Sequence, residues 1–206
     1  MYRYALTIEY DGSPFHGWQI QKNITTVQGV VFDAIKKLDM NCENFVGAGR
    51  TDAGVHAIGQ VAHVDLATKR DCETVQKAIN YYLNKYPVSI LNARLVNNQF
   101  HARFSAIKRH YIYKIFSRKT DLTFEKNQYW HVRQSLNKSN MQLAANYLTG
   151  RHDFSAFRSS ICQASSPIKT IDTISIQSEE IRDGVVYQLN FSARSFLHHQ
   201  VRSIVG

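Results

Sequence analysis

Residues 60–84, QVAHVDLATKRDCETVQKAINYYLN, contain the pattern that decides the fold of the first half of the chain. Polar and apolar side chains alternate over 60–66, which predicts a half-buried strand. Apolar side chains then recur at helical spacing over 72–84, directly after Asp71, whose carboxylate suits a helix N-cap. The stretch therefore predicts a strand followed by an amphipathic helix.

The residues on either side extend this pattern into a complete unit. Residues 3–10 alternate as a strand and end at the turn sequence DGSP, and residues 26–38 follow as a helix in which Thr25 and Gln28 have the spacing of a capping box. Two further strands are predicted, at 43–47 and at 88–96. The order is β-α-β-β-α-β, the ferredoxin-like arrangement.

The second half of the chain repeats this order. We predict a strand at 110–116, a helix at 136–148 closed by Gly150, strands at 169–177 and 185–194, and a helix at 196–204. By the repeat, one more strand would follow residue 206. We therefore expect an α+β fold with mainly antiparallel sheets and two ferredoxin-like halves, 1–100 and 101–206, the second truncated before its last strand.

Composition and charge exclude some classes of protein and favour others. The chain has 206 residues, and its 44% hydrophobic content excludes a disordered protein. With no run of 18 apolar residues, no signal segment and three well-separated cysteines, we expect a soluble cytoplasmic protein. Residues 1–100 carry 10 basic and 9 acidic groups, whereas residues 101–206 carry 15 and 7. The basic second half favours a polyanionic partner, most simply a nucleic acid.

The glycine-rich stretch GAGRTDAGVHA at residues 47–57 is the first candidate for chemistry. An ionised carboxylate on a rigid loop is a suitable nucleophile, and a neighbouring cation such as Arg50 would keep Asp52 ionised. The stretch lacks the lysine of a phosphate-binding P-loop, and Asp52 stands where a dinucleotide-binding loop needs glycine. From composition alone, a tight turn with an Arg–Asp surface pair explains the stretch equally well.

Three further segments are candidates. In residues 100–113 cations alternate with aromatic side chains, as in surfaces that contact phosphates and bases, although a solvated amphipathic strand has the same pattern.

In residues 196–206, helical spacing would place Arg202 on the same side of a helix as His198 and His199. The two histidines suggest a metal site only faintly, because no further metal ligand stands at a suitable spacing. Residues 10–21, which include Trp18, either line a groove or fix the first strand to the core.

Together these segments resemble the TruA-type tRNA pseudouridine synthases. The resemblance is carried by Y-D-G-x-x-F-x-G-W-Q-x-Q at 10–21, G-R-T-D-A-G-V-H-A at 49–57, F-x-A-R-F-S-A at 100–106, R-x-Y-x-Y at 109–113 and F-x-H-H-x-V-R-x-I-V-G at 196–206. The motifs follow one another in the family's order over essentially the whole chain, and the one around Asp52 is the most specific.

The resemblance implies a homodimer of two-domain subunits that converts uridine to pseudouridine at positions 38 to 40 of the tRNA anticodon stem-loop, without metal or organic cofactor. It makes Asp52 the catalytic aspartate and pairs Arg202 with it. Tyr111 would stack on the target uracil and is a candidate general base. The residues expected to bind the substrate are Tyr111, Arg50, Arg103 and Trp18. Whether Asp52 attacks C6 of the base or C1′ of the ribose, or acts through a glycal, stays open.

Two other functions fit parts of the sequence. The family continues beyond residue 206 through a strand near its active site, so a truncated or degenerate synthase that only binds RNA is the alternative to an active enzyme. An RRM-type RNA-binding module would need an RNP1 sequence, which the chain lacks. A nucleotide-dependent enzyme would need a phosphate-binding loop, which is also absent.

Overall fold

A computed structural model describes residues 1–206, which divide into two compact units, Met1–Ala106 and Ile107–Gly206. Each unit contains one sheet with helices packed on it, and every strand pairing but one is antiparallel. The predicted α+β class is therefore confirmed. None of the four helices is long and apolar enough to cross a membrane.

The first unit has the predicted β-α-β-β-α-β order. Its elements are β1 (Tyr2–Tyr10), α1 (Val27–Leu38), β2 (Glu43–Gly47), β3 (Ala57–Leu66), α2 (Cys72–Leu83) and β4 (Val88–Leu95). The strands lie in the order β2-β3-β1-β4, with β1 and β3 in the centre of the sheet. This is the ferredoxin-like arrangement that the alternating and helical patterns predicted.

The core of the first unit lies between the inner face of the sheet and the apolar stripes of α1 and α2. Alternate side chains of β1 and β3 are buried there, because successive residues of a strand point to opposite faces of the sheet. The buried set includes Tyr4, Leu6, Ile8, Val64, Leu66, Val31, Ile35, Val75 and Ile79.

The second unit contains the three strands predicted from the sequence and adds two short ones. Its elements are β5 (Arg109–Ser117), β6 (Trp130–Val132), α3 (Lys138–Leu148), β7 (Gly150–Asp153), β8 (Ile168–Ile181), β9 (Gly184–Ala193) and α4 (Gln200–Val205). The strand order is β6-β5-β9-β8-β7, and β6 pairs in parallel with the end of β5. Strands β6 and β7 were not predicted from the sequence, since three or four residues are too few to show a periodicity.

Two details of the predicted helices are wrong. The N-cap of α1 is Thr26 and not Thr25, because the hydroxyl of Thr26 accepts a hydrogen bond from the Gly29 N–H at 3.3 Å. The last helix begins at Gln200 and not at 196, because His199 adopts a left-handed conformation with φ of 63° that a helix does not allow. His198 and His199 therefore precede the helix that carries Arg202.

His63 is a buried polar residue that fixes a distant segment to the first sheet. It lies on β3 with 1% of its surface exposed, and its Nδ1 accepts a hydrogen bond from the Ala102 N–H at 3.2 Å. Burial, reinforced by the nearby charge of Arg3 and by His101, lowers the pKa of His63 from its ordinary value of 6.5 to about 4. The ring is therefore neutral at neutral pH, as its role as an acceptor requires.

The assignment of Thr26 as the N-cap of α1 can be tested by replacing Thr26 and its neighbour Thr25 separately. We expect Thr26→Ala to lower the free energy of unfolding by about 0.5–2 kcal/mol, because the Gly29 N–H loses its acceptor. Thr25→Ala serves as the matched control, since Thr25 is exposed and its side chain caps nothing. Urea denaturation of both variants measures the difference. An equal loss in the two variants would contradict the assignment.

The low pKa of His63 predicts a specific dependence of stability on pH. Between pH 6.5 and about 4 the unfolded chain binds a proton at this residue that the folded chain does not, so the free energy of unfolding falls as the pH is lowered through that window. The expected contribution is about 3 kcal/mol at most. His63→Gln should flatten the profile in this window, whereas His16→Gln, at an exposed position, should not. Parallel profiles for His63→Gln and the parent would refute the prediction.

Candidate active site

Asp52 lies on the loop that joins β2 to β3, and this loop is held by the segment that follows β1. The backbone N–H of Trp18 donates to the carbonyl of Thr51 at 3.0 Å, and the N–H of Gly54 donates to the carbonyl of Phe15 at 3.3 Å. The hydroxyl of Tyr10 lies 2.8 Å from that of Thr51. These contacts fix the backbone on both sides of Asp52.

Trp18 forms part of the core beneath this loop. Only 2% of its surface is exposed, and its ring packs between those of Tyr10 and Phe45 at centroid distances of 6.0 and 6.1 Å. Gly47 lies directly against the ring, since a Cβ at that position would come within 2.7 Å of it. The burial of Trp18 supports the interpretation that this segment fixes the first strand to the core, and the contact of Trp18 with substrate stays a prediction.

Two glycines of the same segment permit the close approach of the two backbones. Gly17 has φ of 85°, and a Cβ there would lie 2.6 Å from the carbonyl oxygen of Thr51. A Cβ on Gly12 would collide with the carbonyl of Val55. The glycines are therefore required by the packing of the two loops, and at Gly17 also by the backbone conformation.

Gln60 and His56 hold the two ends of the Asp52 loop, at Gly49 before Asp52 and at His56 after it. Nδ1 of His56 lies 3.2 Å from the backbone nitrogen of Gly12 and 2.9 Å from a carboxylate oxygen of Asp11. Hydrogen bonds from Ser13, with a smaller effect of His56, lower the pKa of the Asp11 carboxyl. The side-chain amide of Gln60 donates to the carbonyl of Gly49 at 2.7 Å. These anchors were not predicted from the sequence, because a hydrogen-bond partner leaves no periodic signal.

Asp52 itself is partly exposed at the surface of the loop. Its carbonyl accepts from the Val55 N–H at 3.2 Å, which closes a tight turn directly after it. Arg50 is exposed, so its guanidinium is accessible to a ligand. The expected pairing of Arg50 with Asp52 stays a prediction.

The segment around Arg103 is attached to the first unit by polar contacts, of which that of His63 is buried. Arg3 pairs with Asp65 at 2.7 Å. The same guanidinium donates to the backbone carbonyls of Asn98 and Phe100. Two residues further on, the N–H of Ala102 donates to His63. At the tip, Arg103 and Phe104 are both exposed, and the guanidinium lies 5.5 Å from the centroid of the phenyl ring. An exposed cation beside an exposed ring suits contacts with phosphates and bases.

The second unit brings Tyr111 and Arg202 to one face of its sheet. Tyr111 and Tyr113 share a face of β5, and the ring of Tyr111 packs edge-on against Phe196 at 5.1 Å. Burial raises the pKa of the Tyr113 hydroxyl, and the nearby charge of Arg202 opposes that rise. The guanidinium of Arg202 is therefore close to the tyrosine face, although the residue itself is exposed.

The predicted site residues thus fall into two groups. In the first unit, Asp52 and Arg50 share one loop and Arg103 lies on a separate, anchored segment. In the second unit, Tyr111 lies on β5, and Arg202 lies on α4, which contacts that strand. The pairing of Arg202 with Asp52 would join residues of different units, and it stays a prediction.

The glycine requirement where the two loops meet can be tested directly. We expect Gly17→Ala to lower the free energy of unfolding by about 1–3 kcal/mol, because a side chain there is strained at φ of 85° and collides with Thr51. Gly59→Ala is the matched control, since a Cβ at that position meets nothing within 4 Å and its φ is ordinary. Urea denaturation measures both. Equal stability of the two variants would show that the backbones of the two loops do not pack closely at Gly17.

Comparison with known proteins places the chain in a family. A family model described as tRNA pseudouridine synthase matches residues 6–105 and 144–206. The tRNA pseudouridine synthase A of Xanthobacter autotrophicus is 50% identical over all of this chain and 82% of its own length. The proteins of the same name from Azorhizobium caulinodans and Maricaulis maris are also 50% identical over the whole chain, which spans 78% and 81% of their lengths. The chain belongs to the tRNA pseudouridine synthase family.

Proposed function

We propose that this chain isomerises uridine to pseudouridine in tRNA, at positions 38 to 40 of the anticodon stem-loop, with Asp52 as the nucleophile. The observation that carries this proposal is the position of Asp52, a partly exposed carboxylate on a loop whose backbone is fixed on both sides by a second loop. The similarity to enzymes named tRNA pseudouridine synthase A supplies the substrate class.

The reaction exchanges one glycosidic bond for another. The bond between N1 of the uracil and C1′ of the ribose breaks, the base turns, and a bond forms between C5 and C1′. The proton of C5 is released and N1 gains one, so no electrons are transferred overall. A transient covalent bond to Asp52 divides this exchange into easier steps, and the aspartate is regenerated at the end.

The fixed loop contributes to this chemistry by orientation. Hydrogen bonds on either side of Asp52 hold its backbone before substrate binds. The loop therefore loses little conformational entropy when the uridine binds. A uridine within a stem must first leave the stack, which costs a few kcal/mol. Stacking on Tyr111 would offset about 1–3 kcal/mol of this cost.

The proposed roles of the cations follow from their exposure. Arg202 would pair with Asp52 and stabilise negative charge on the detached uracil. Arg50 and Arg103 are exposed and suited to RNA contacts, Arg103 together with the ring of Phe104. From the family resemblance we also propose a cytoplasmic homodimer that needs neither metal nor organic cofactor.

The alternative function, RNA binding without catalysis, is not favoured by any particular observation. The loop that carries Asp52 is anchored by hydrogen bonds at both ends, and Asp52 itself is present. The two functions differ in whether tritium is released from C5 of the target uridine.

We expect the protein to release tritium from tRNA labelled at C5 of uridine. Asp52→Asn should lower the single-turnover rate by more than about a thousandfold, because the amide keeps the size of the side chain but is a very weak nucleophile. Asp33→Asn is the control, since Asp33 is an exposed carboxylate on α1 with no ion pair. tRNA binding should remain close to that of the parent in both variants.

Two results would contradict the proposal in different ways. Binding of tRNA by the parent without any release of tritium would indicate a protein that only binds RNA. Release by Asp52→Asn at the rate of the parent would show that another group is the nucleophile.

A further inference from the structure

The second unit contains an open recess with a strongly basic lining, outside the residues that the proposed reaction uses. Its volume is about 340 Å³. We refer to it as the basic recess, defined by its lining residues Arg151, Ser166, Ile168, Lys169, Thr170, Arg194 and Ser195. Three of these seven carry positive charge, three are hydroxyl residues, and none is acidic.

The charges of the basic recess have no counterion within the chain. No carboxylate forms an ion pair with Arg151, Lys169 or Arg194. The two nearest carboxylates in the sequence are already engaged, since Asp153 accepts from Ser155 and Asp172 pairs with Lys108 at 3.2 Å. Like charges gathered without a partner repel one another, and an external anion would relieve that repulsion.

The sheet fixes the positions of these residues. Strand β7 places Arg151 opposite Thr170 of β8, and the next residue of β8, Ile171, pairs with Ala193 at the end of β9. Arg194 follows directly, and its carbonyl accepts a hydrogen bond from the guanidinium of Arg109 at 2.5 Å. The cations therefore come from three neighbouring strand ends.

The lining also indicates which anion would bind. Guanidinium groups and hydroxyls are typical donors to phosphate oxygens, and no aromatic side chain lines the recess on which a base could stack. The recess is open to solvent, so a phosphate that belongs to a longer chain can enter it.

We propose that the basic recess binds a backbone phosphate of tRNA, away from the nucleotide that is modified. This inference rests on the proposed function for the identity of the RNA. It gives Arg151, Lys169 and Arg194 a role in affinity and none in the chemical step.

The test compares tRNA binding by variants of the recess. Arg151→Ala and Arg194→Ala should each weaken the binding of a fluorescently labelled tRNA transcript by about fivefold to tenfold at moderate salt. The slope of log Kd against log of the KCl concentration should fall by about 0.7–0.9 for each phosphate that the variant no longer binds. In tritium release the effect should appear in KM more than in kcat, as expected of groups that hold the substrate far from the reacting atoms.

Lys138→Ala is the matched control. Lys138 is an exposed cation of the same unit that forms no ion pair and does not line the recess. Thermal unfolding shows whether either arginine variant folds poorly. In that case Lys169→Gln provides a second, independent change to the recess. We expect Lys138→Ala to retain the Kd and salt slope of the parent.

Three outcomes would overturn the proposal. Recess variants that keep the Kd and the salt slope of the parent would show that no phosphate is bound there, and an equally weakened Lys138→Ala would show that any surface cation has the same effect. Tight binding of inorganic phosphate in calorimetry, with tRNA affinity unchanged in the variants, would assign the recess to a small free anion. Absence of tritium release with tRNA binding intact would defeat only the proposed catalysis, because the recess is tested by binding.

Discussion

The hydrogen bond from the backbone N–H of Trp18 to the carbonyl of Thr51 is the interaction on which the candidate active site depends. It joins two segments that are separated in sequence by a whole helix and a strand. Around it, Trp18 fills the space beneath the loop, and Gly17 allows the two backbones to approach. Together with the other contacts between the two segments, this hydrogen bond holds the backbone at Asp52 before a ligand binds, so less ordering is required during binding.

The topology of the first sheet explains why these two segments meet. Strand β3 lies beside β1 and runs antiparallel to it, so the end of β1 is adjacent to the start of β3, with Tyr10 opposite Ala57. The segment after β1 and the loop before β3 therefore leave the sheet at the same edge. A ferredoxin-like order places these two connections side by side, and the glycines then permit their close packing.

Sequence patterns predicted the regular elements better than the interactions between them. Alternation and helical spacing located α1, α2 and the central strands to within a few residues, because burial on one face repeats along the chain. The same patterns do not report single hydrogen bonds, so the roles of His56 and His63 were missed. The burial of the Trp18 ring was left open for a related reason, since an aromatic residue in a polar loop has the same sequence signature whether its ring is buried or exposed. The start of α4 depended on one residue in the left-handed conformation, His199, and that conformation is uncommon for any residue other than glycine.

The second half of the chain carries part of its excess positive charge in the basic recess. Four of its acidic residues pair with cations, and a fifth accepts from a serine. The remaining two, Glu179 and Glu180, lie near the end of β8 opposite to Lys169, about 35 Å away at the usual rise per residue. Strand β8 is therefore basic where it borders the recess and acidic at its far end. Because a polyanion is drawn toward one end of such a strand and repelled from the other, this arrangement would orient a bound RNA as well as attract it.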